Sequence, residues 1–238
     1  MLPKLKFKIS SQKDVNTLFA FINDAKYDQG RNLKWAVLDK YPALRKYGSK
    51  KNFKITKKEA SKFIQKIYRK DEKIIKHNLN LYKKNWAKKE EQFYQLVEEL
   101  FEKQPWPRGK YITYPTIWGM FPRFLEDKIF QLPHKYRNKK YVNVIIAHEM
   151  LHFMFYSHFL KHYPRYKKSK YNFFVWNISE IFNSIIQNSP KWLKVFKLKS
   201  KPYPEHLKIV QKLSPRYRKE NINVEKLVKD IIKAVPEK

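Results

Sequence analysis

Two histidines and a glutamate stand at a spacing that suits metal-assisted hydrolysis. His148, Glu149 and His152 form an HExxH pattern. Residues four apart on an α-helix differ by about 40° in azimuth, so the two imidazoles can bind one ion. Glu149 lies about 100° round from His148, at the edge of that face, where it can reach a water without being a ligand. The pattern predicts a Zn²⁺ site with Glu149 as general base and later proton donor.

The residues around the motif are apolar, which strengthens this prediction. Residues 144–147 and 153–155 flank the pattern with valine, isoleucine, alanine, phenylalanine and methionine. Two imidazoles and a carboxylate in such a helix need a compensating partner, because an unpaired buried charge is strongly destabilising. A metal ion provides one. The alternative is a pair of core histidines and a glutamate that are satisfied by hydrogen bonds alone.

At these residues the chain resembles the zincin metallopeptidases, over about residues 105–190. The resemblance implies a Zn²⁺-dependent enzyme that hydrolyses peptide bonds in a peptide or protein substrate. It implies that His148 and His152 are zinc ligands and that Glu149 is the catalytic residue. It also implies a third protein ligand, for which the chain offers two candidates.

The first candidate is His158, which has the spacing of the metzincin motif. It lies six residues past His152, however, and so about 240° round a continuous helix, on the far side. Metzincins break the helix with a glycine where this chain has Phe155, and they carry a methionine turn downstream. No methionine follows Met154. The metzincin assignment therefore fails twice.

The second candidate is Glu180, 28 residues past His152 and on the next predicted helix. This arrangement is similar to the gluzincin, thermolysin-like class, whose third ligand is a glutamate from a following helix. The thermolysin-type pattern has an aspartate where this chain has Ser184. Asn183 and Ser184 share the face of Glu180, so we expect them to hydrogen-bond to a ligand histidine. Glu180 is also the only acid among residues 150–204, although pairing with a lysine is an alternative role for it.

The composition excludes several classes of protein. The chain has 238 residues and no cysteine, which excludes disulfide scaffolds, cysteine-ligated zinc and thiol catalysis. It is 42% hydrophobic and 16% aromatic, which is too much for a chain disordered throughout. It has no uncharged apolar run of about 18 residues, and its start does not match a secretory signal. We therefore expect no membrane span and a cytoplasmic location.

The charge predicts a second class of function. The chain has 53 basic and 21 acidic residues, a formal net charge of +32. Such a field attracts nucleic acid or acidic proteins without sequence preference, although biased composition alone can produce it. The rival hypothesis is a nucleic-acid-binding protein with a structural metal. Structural zinc is closed by a fourth protein ligand, for which His158 or His162 is the candidate.

The pattern along the chain predicts an α+β fold. Residues 1–104 are predicted to be mainly helical, and residues 105–238 to form a zincin-like catalytic domain after a proline-rich break at 104–110. One continuous domain is the alternative. In the first region, helices are expected from Ser11 and from a capping box at Thr56, with a bend at 77–80. The second is expected to hold a small mixed sheet, the HExxH helix and following helices. The predicted strands are 5–9, 111–113, 117–121 and 128–132, and the predicted later helices are about 139–162, about 172–188 and 224–234.

Two further parts of a peptidase site have several candidates each. Zincins bind extended substrate against an edge strand, for which residues 117–121 and 128–132 are the candidates. The oxyanion of the tetrahedral intermediate needs a hydrogen-bond donor besides the metal. The candidates for this donor are Tyr163, Tyr166, Tyr171, Tyr203 and His206.

Overall fold

The computed structural model describes residues 2–23, 33–49, 52–218 and 221–237 and has an α+β fold. Its strands are β1 (Lys6–Phe7), β2 (Ile112–Thr116), β3 (Arg123–Phe124) and β4 (Ile129–Pro133). Its α-helices are α1 (Ser11–Asn23), α2 (Leu33–Lys40), α3 (Lys57–Lys70), α4 (Glu72–Ala87), α5 (Glu90–Leu100), α6 (Val142–His162), α7 (Asn172–Gln187), α8 (Pro190–Phe196), α9 (Leu207–Leu213) and α10 (Val224–Ala234). Within these ranges, no helix is long and apolar enough to cross a membrane.

The chain folds into two compact units that interleave in sequence. The sheet unit comprises Leu5–Leu81 and Lys110–Arg137. The helical unit comprises Met1–Lys4, Tyr82–Gly109 and Asn138–Lys238. The division into a mainly helical region at 1–104 and a zincin-like catalytic domain at 105–238 stays a prediction.

The sheet is four-stranded and mixed, in the order β1-β2-β4-β3. β1 and β4 both run parallel to β2, whereas β3 runs antiparallel to β4. Pro115 is tolerated within β2 although it cannot donate a hydrogen bond. Its carbonyl accepts a hydrogen bond from Tyr68 at 3.0 Å, so the edge of β2 on which Pro115 lacks an N–H group faces away from β4. β1 pairs with β2 only at Ile112 and Thr113, so no ladder bond is lost there.

The helices agree well with the sequence pattern. The segment predicted at about 139–162 is a 3₁₀ turn, Lys139–Tyr141, followed by α6. The prediction of about 172–188 is confirmed as α7, and that of 224–234 as α10. The capping box is confirmed, because Thr56 and Glu59 exchange side-chain and backbone hydrogen bonds at the start of α3. The stretch that follows divides at Asp71 and at residues 88–89, not at 77–80.

Two predictions about strands are wrong. Residues 117–121 form no strand, because their backbone donors bond to side chains: Ile117 N–H donates to Asp14 and Trp118 N–H to Thr116. Gly119 adds a φ of 79°, which no strand allows. β4 overlaps the predicted strand 128–132, but it is an interior strand, paired with β2 and β3. Neither segment is the edge strand proposed for substrate binding.

A fully buried carboxylate organises the sheet unit. Asp14 accepts hydrogen bonds from Tyr68 Oη at 2.9 Å and Ile117 N–H at 3.0 Å on one oxygen, and from Gln131 Nε2 at 3.0 Å on the other. Thr17 Oγ1 donates to Gln131 Oε1 at 2.7 Å, which fixes the Gln131 amide. Burial raises the pKa of Asp14 to about 6, although these hydrogen bonds oppose the shift. The group therefore links α1 to the sheet through a buried, ionisable carboxyl.

This raised pKa predicts a pH-dependent stability with a definite sign. Between the ordinary value of 3.8 and about 6, the folded protein keeps a proton on Asp14 that the unfolded chain releases. The free energy of unfolding should therefore fall as pH rises through this window, by about 3 kcal/mol from this group. Asp14→Asn should remove that component, because an amide does not titrate in this window. The hydrogen bonds can persist, because Gln131 can turn its amide, accept from the introduced amide and donate to Thr17. Denaturant unfolding of both proteins across the window measures the difference, and parallel curves would contradict the assignment.

Candidate metal centre

The helix that carries the HExxH pattern is apolar on nearly every face, so it forms as a buried helix. The Asn138 side chain accepts hydrogen bonds from the Lys140 and Tyr141 N–H groups, which caps the 3₁₀ turn that leads into α6. The helix ends at His162, because Pro164 disfavours helical geometry in Tyr163, the residue before it. His148, Glu149 and His152 therefore lie well inside a continuous helix of 21 residues.

The second element of the centre is α7, held against α6 by two side-chain amides. Asn183 Nδ2 donates to the His148 carbonyl at 3.0 Å, and Gln187 Nε2 donates to the Val144 carbonyl at 2.9 Å. Both amides are buried. They share one helical face with Glu180, at spacings of three and seven residues. The polar face of α7 thus fixes the position along the axis of α6 at which Glu180 contacts this helix.

Three side chains converge where these helices meet. His148 Nε2 and His152 Nε2 lie 2.9 Å apart. Glu180 Oε2 lies 3.0 Å from the first nitrogen, and Oε1 lies 3.3 Å from the second. His152 and Glu180 are almost fully buried, at 0% and 2% side-chain exposure, whereas His148 is 18% exposed. The cluster is therefore buried on one side and open to solvent at His148.

The Gln187 side chain sets the tautomer of His148. Since Gln187 Nε2 donates to a backbone carbonyl, its Oε1 must face His148 Nδ1, which it does at 2.9 Å. Nδ1 is then the protonated nitrogen, and the lone pair of a neutral His148 is on Nε2. This lone pair faces the Glu180 carboxylate, so two acceptors meet at 3.0 Å. Such a contact is favourable with a cation between them or with a protonated imidazole.

The geometry fits a tetrahedral metal ion. Ligands about 2.0–2.1 Å from zinc at tetrahedral angles stand about 3.3 Å from one another. The observed separations are close to this value: 2.9 Å between the two Nε2 atoms, and 3.0 and 3.3 Å from these nitrogens to different oxygens of Glu180. Among the described residues, no fourth histidine or carboxylate joins His148, His152 and Glu180 in this group. His148, His152 and Glu180 could therefore hold zinc or another transition metal, and with three protein ligands such an ion would keep a position for water or substrate.

Three further predicted residues lie on α6 and α7. Glu149 is buried on α6 beside His148. Asn183 does contact a histidine of the motif, but through the backbone carbonyl of His148 and not its ring. Ser184 is buried on the same face of α7.

His158 and His162 do not lie at this centre. They form a second group with Glu225, so neither supplies a fourth ligand to His148, His152 and Glu180. His158 lies where the helical angle predicts, on another face of α6. The rival hypothesis expects one of these two histidines to be a fourth ligand of the first centre, and neither is.

The candidates for the oxyanion donor separate into two groups. Tyr163 donates to Glu225 at 3.2 Å, Arg165 donates to Tyr166, and Tyr171 packs edge-on against Tyr166. Tyr203 and His206 instead contact the ring of Trp176, at centroid distances of 5.4 and 5.3 Å. Trp176 precedes Glu180 by one helical turn on α7. Tyr203 and His206 therefore contact α7 one helical turn before Glu180.

Two residues of the site were missed at the level of sequence. Gln187 bonds to the His148 ring, and Tyr156 places its ring 6.2 Å from that of His152. Helical spacing places each of them on the same helical face as a predicted ligand, although it does not give the contact itself. Gln187 lies seven residues after Glu180, and Tyr156 continues the four-residue series of His148 and His152.

Comparison with known proteins finds no match. No protein-family model matches the chain, and no curated protein and no solved structure does so. The side-chain geometry described above therefore carries the functional conclusion.

The bond from Gln187 to His148 predicts a measurable contribution to metal affinity. Gln187→Met keeps much of the side-chain volume but removes the acceptor that orients the imidazole. Zinc affinity should fall by about 10- to 100-fold, the usual effect of losing such a partner. Competition with a chromophoric chelator measures the affinity, and Gln95→Met, at an exposed position of α5, is the matched control. Equal affinity in the Gln187 variant and the wild type would show that the bond does not orient a ligand.

Proposed function

We propose that the protein is a zinc-dependent metallopeptidase with a gluzincin-like ligand set. His148, His152 and Glu180 bind the metal, and Glu149 is the general base. One observation carries the proposal. The two Nε2 atoms lie 2.9 Å apart, and the two oxygens of Glu180 lie 3.0 Å from that of His148 and 3.3 Å from that of His152. These atoms come from two helices fixed by separate hydrogen bonds, which supports a preformed site.

The same geometry favours a catalytic over a structural role for the metal. Structural zinc is closed by four protein ligands, whereas catalytic zinc has three and an open position. The first group supplies three histidine and glutamate ligands in the described part of the chain. The 18% exposure of His148 leaves a route from solvent to this position. A water and a substrate carbonyl can therefore reach the centre.

The proposed reaction is hydrolysis of an amide bond. Zinc bound at such a site polarises a carbonyl and lowers the pKa of a bound water to about 7. Glu149 takes a proton from the attacking water as its oxygen bonds to the carbonyl carbon. The carboxylic acid then returns this proton to the amide nitrogen as the C–N bond breaks, so Glu149 ends the cycle ionised.

An aromatic surface beside the third ligand suits the side chains of a peptide substrate. Phe173 stacks on Trp176 at a centroid distance of 5.6 Å, and Tyr203 packs against the same ring. Phe173 and Tyr203 are 40% and 39% exposed. Large exposed apolar groups in a cluster favour a binding role. We assign this surface to substrate side chains next to the bond that is cleaved.

Removal and return of the metal test the proposal. The purified protein should cleave an unfolded protein or a peptide library, lose this activity after chelation, and regain it with one equivalent of zinc. The reason is that the proposed hydrolysis needs a bound metal to activate the water and polarise the carbonyl. Cleavage that persists in the fully metal-free protein would contradict the proposal. So would the absence of cleavage in a protein shown to hold one zinc.

A further inference from the structure

A second cluster of the same residue types lies further along α6. His158 and His162 are four residues apart and share a face near the C-terminal end of this helix, and Glu225 begins the first turn of α10. His158 Nε2 lies 2.8 Å from Glu225 Oε1, and His162 Nδ1 lies 3.8 Å from the same oxygen. The two rings face each other at a centroid distance of 4.2 Å. Two imidazoles and a carboxylate thus meet at ligand spacing.

This cluster repeats the construction of the first centre. His148 has a glutamine oxygen 2.9 Å from Nδ1 and a glutamate oxygen 3.0 Å from Nε2. His158 has the Gln104 oxygen 2.8 Å from Nδ1 and the Glu225 oxygen 2.8 Å from Nε2. Such an outer partner fixes the orientation of a ligand imidazole. A second histidine follows four residues later in both cases.

We propose that His158, His162 and Glu225 form a second binding site for a divalent transition-metal ion such as Zn²⁺, weaker than the first and separate from it. Ten residues along a helix correspond to about 15 Å between the two sites. The metal ions of a two-metal catalytic centre are only about 3.5–4 Å apart. The second ion therefore takes no part in the reaction assigned to the first.

Several features make this site the weaker of the two. His162 and Glu225 are each 39% exposed, so water competes for the metal and for the ligands. His162 Nδ1 also donates to the His158 carbonyl at 2.9 Å, and this bond must be given up if Nδ1 binds the metal.

A metal at this site would connect two distant parts of the chain. Glu225 lies 63 residues after His162, and its other oxygen accepts a hydrogen bond from Tyr163 at 3.2 Å. A metal that binds only the folded arrangement stabilises it by mass action. Occupancy should therefore hold the start of α10 against the end of α6 and raise the thermal stability of the protein.

Zinc titration of ligand variants tests this proposal without measuring activity. Competition with a chromophoric chelator should give two equivalents for the wild-type protein, one tight and one weaker. Glu225→Gln and His162→Ala should each weaken the second equivalent by more than about tenfold and leave the first unchanged. In Glu225→Gln the amide nitrogen can donate to the lone pair on His158 Nε2 and the amide oxygen can accept from Tyr163, so the fold should survive. His77→Ala, at an exposed helical histidine, is the matched control and should keep both equivalents.

The result of this titration does not depend on whether the protein is a peptidase. His148→Ala should remove the tight equivalent and keep the weak one, which separates the two sites. A wild-type protein that binds a single zinc would overturn the proposal. A second equivalent that persists unchanged in both Glu225→Gln and His162→Ala would also overturn it, because the metal would then bind elsewhere.

Discussion

Glu149→Gln should lower the rate of peptide cleavage by about a hundredfold to ten-thousandfold, the range expected for loss of a general base. The amide has nearly the same shape as the carboxylate, so the packing of α6 should persist. It cannot take a proton from the attacking water, and the nucleophile then forms without a base. His148, His152 and Glu180 are unchanged, so one tight zinc should still bind. Cleavage rates at matched zinc occupancy measure the effect.

A matched control separates this effect from a general loss of charge. Glu91→Gln makes the same substitution at an exposed position of α5, in the helical unit, and should leave the rate unchanged. Both variants should show the wild-type circular dichroism spectrum and thermal midpoint. Equal rates for Glu149→Gln and the wild type would remove Glu149 from the mechanism.

The parts of the site that follow from local geometry are readable in the sequence. A spacing of four on one helix brings His148 and His152 together, and a rotation of about 240° separates His158 from them. Both relations hold in the structure because α6 is continuous through Val142–His162. The pairing of Glu180 with the two histidines was also expected, but from the resemblance to gluzincins and not from spacing alone.

The parts that depend on packing between distant segments were not readable. Gln187 meets the His148 ring only because α7 lies against α6 at one particular height, which its own amide helps to fix. Glu225 meets His158 from 67 residues away. A single sequence gives no distance between such segments, so neither contact was predicted.

The incorrect strand has a different cause. Residues 117–121 are apolar and flanked by prolines, a pattern that indicates a buried strand. In the structure the carboxylate of Asp14 takes the Ile117 N–H group, so this donor leaves the ladder of the sheet. A buried acid more than 100 residues away thus overrides the local preference, which no window of neighbouring residues can show.

Glu180→Gln should reduce zinc affinity at the first centre by more than about a hundredfold, because the change removes a direct ligand and not only a supporting partner. The side chain keeps its volume, so the 2%-exposed position stays filled and the protein should remain folded. What it loses is the negative charge that faces both imidazoles at 3.0 and 3.3 Å. Peptide cleavage should disappear with the metal.

The control for this prediction is His158→Ala, which changes a histidine of the same helix that lies outside the first group. It should keep the tight equivalent of zinc, since the three ligands of that group are untouched. Metal analysis after extensive dialysis distinguishes the two variants. If His158→Ala lost the tight zinc while Glu180→Gln kept it, the third ligand would not be Glu180, and the gluzincin-like assignment would fail with it. Loss in Glu180→Gln alone would instead support a centre that joins α6 and α7 through one carboxylate.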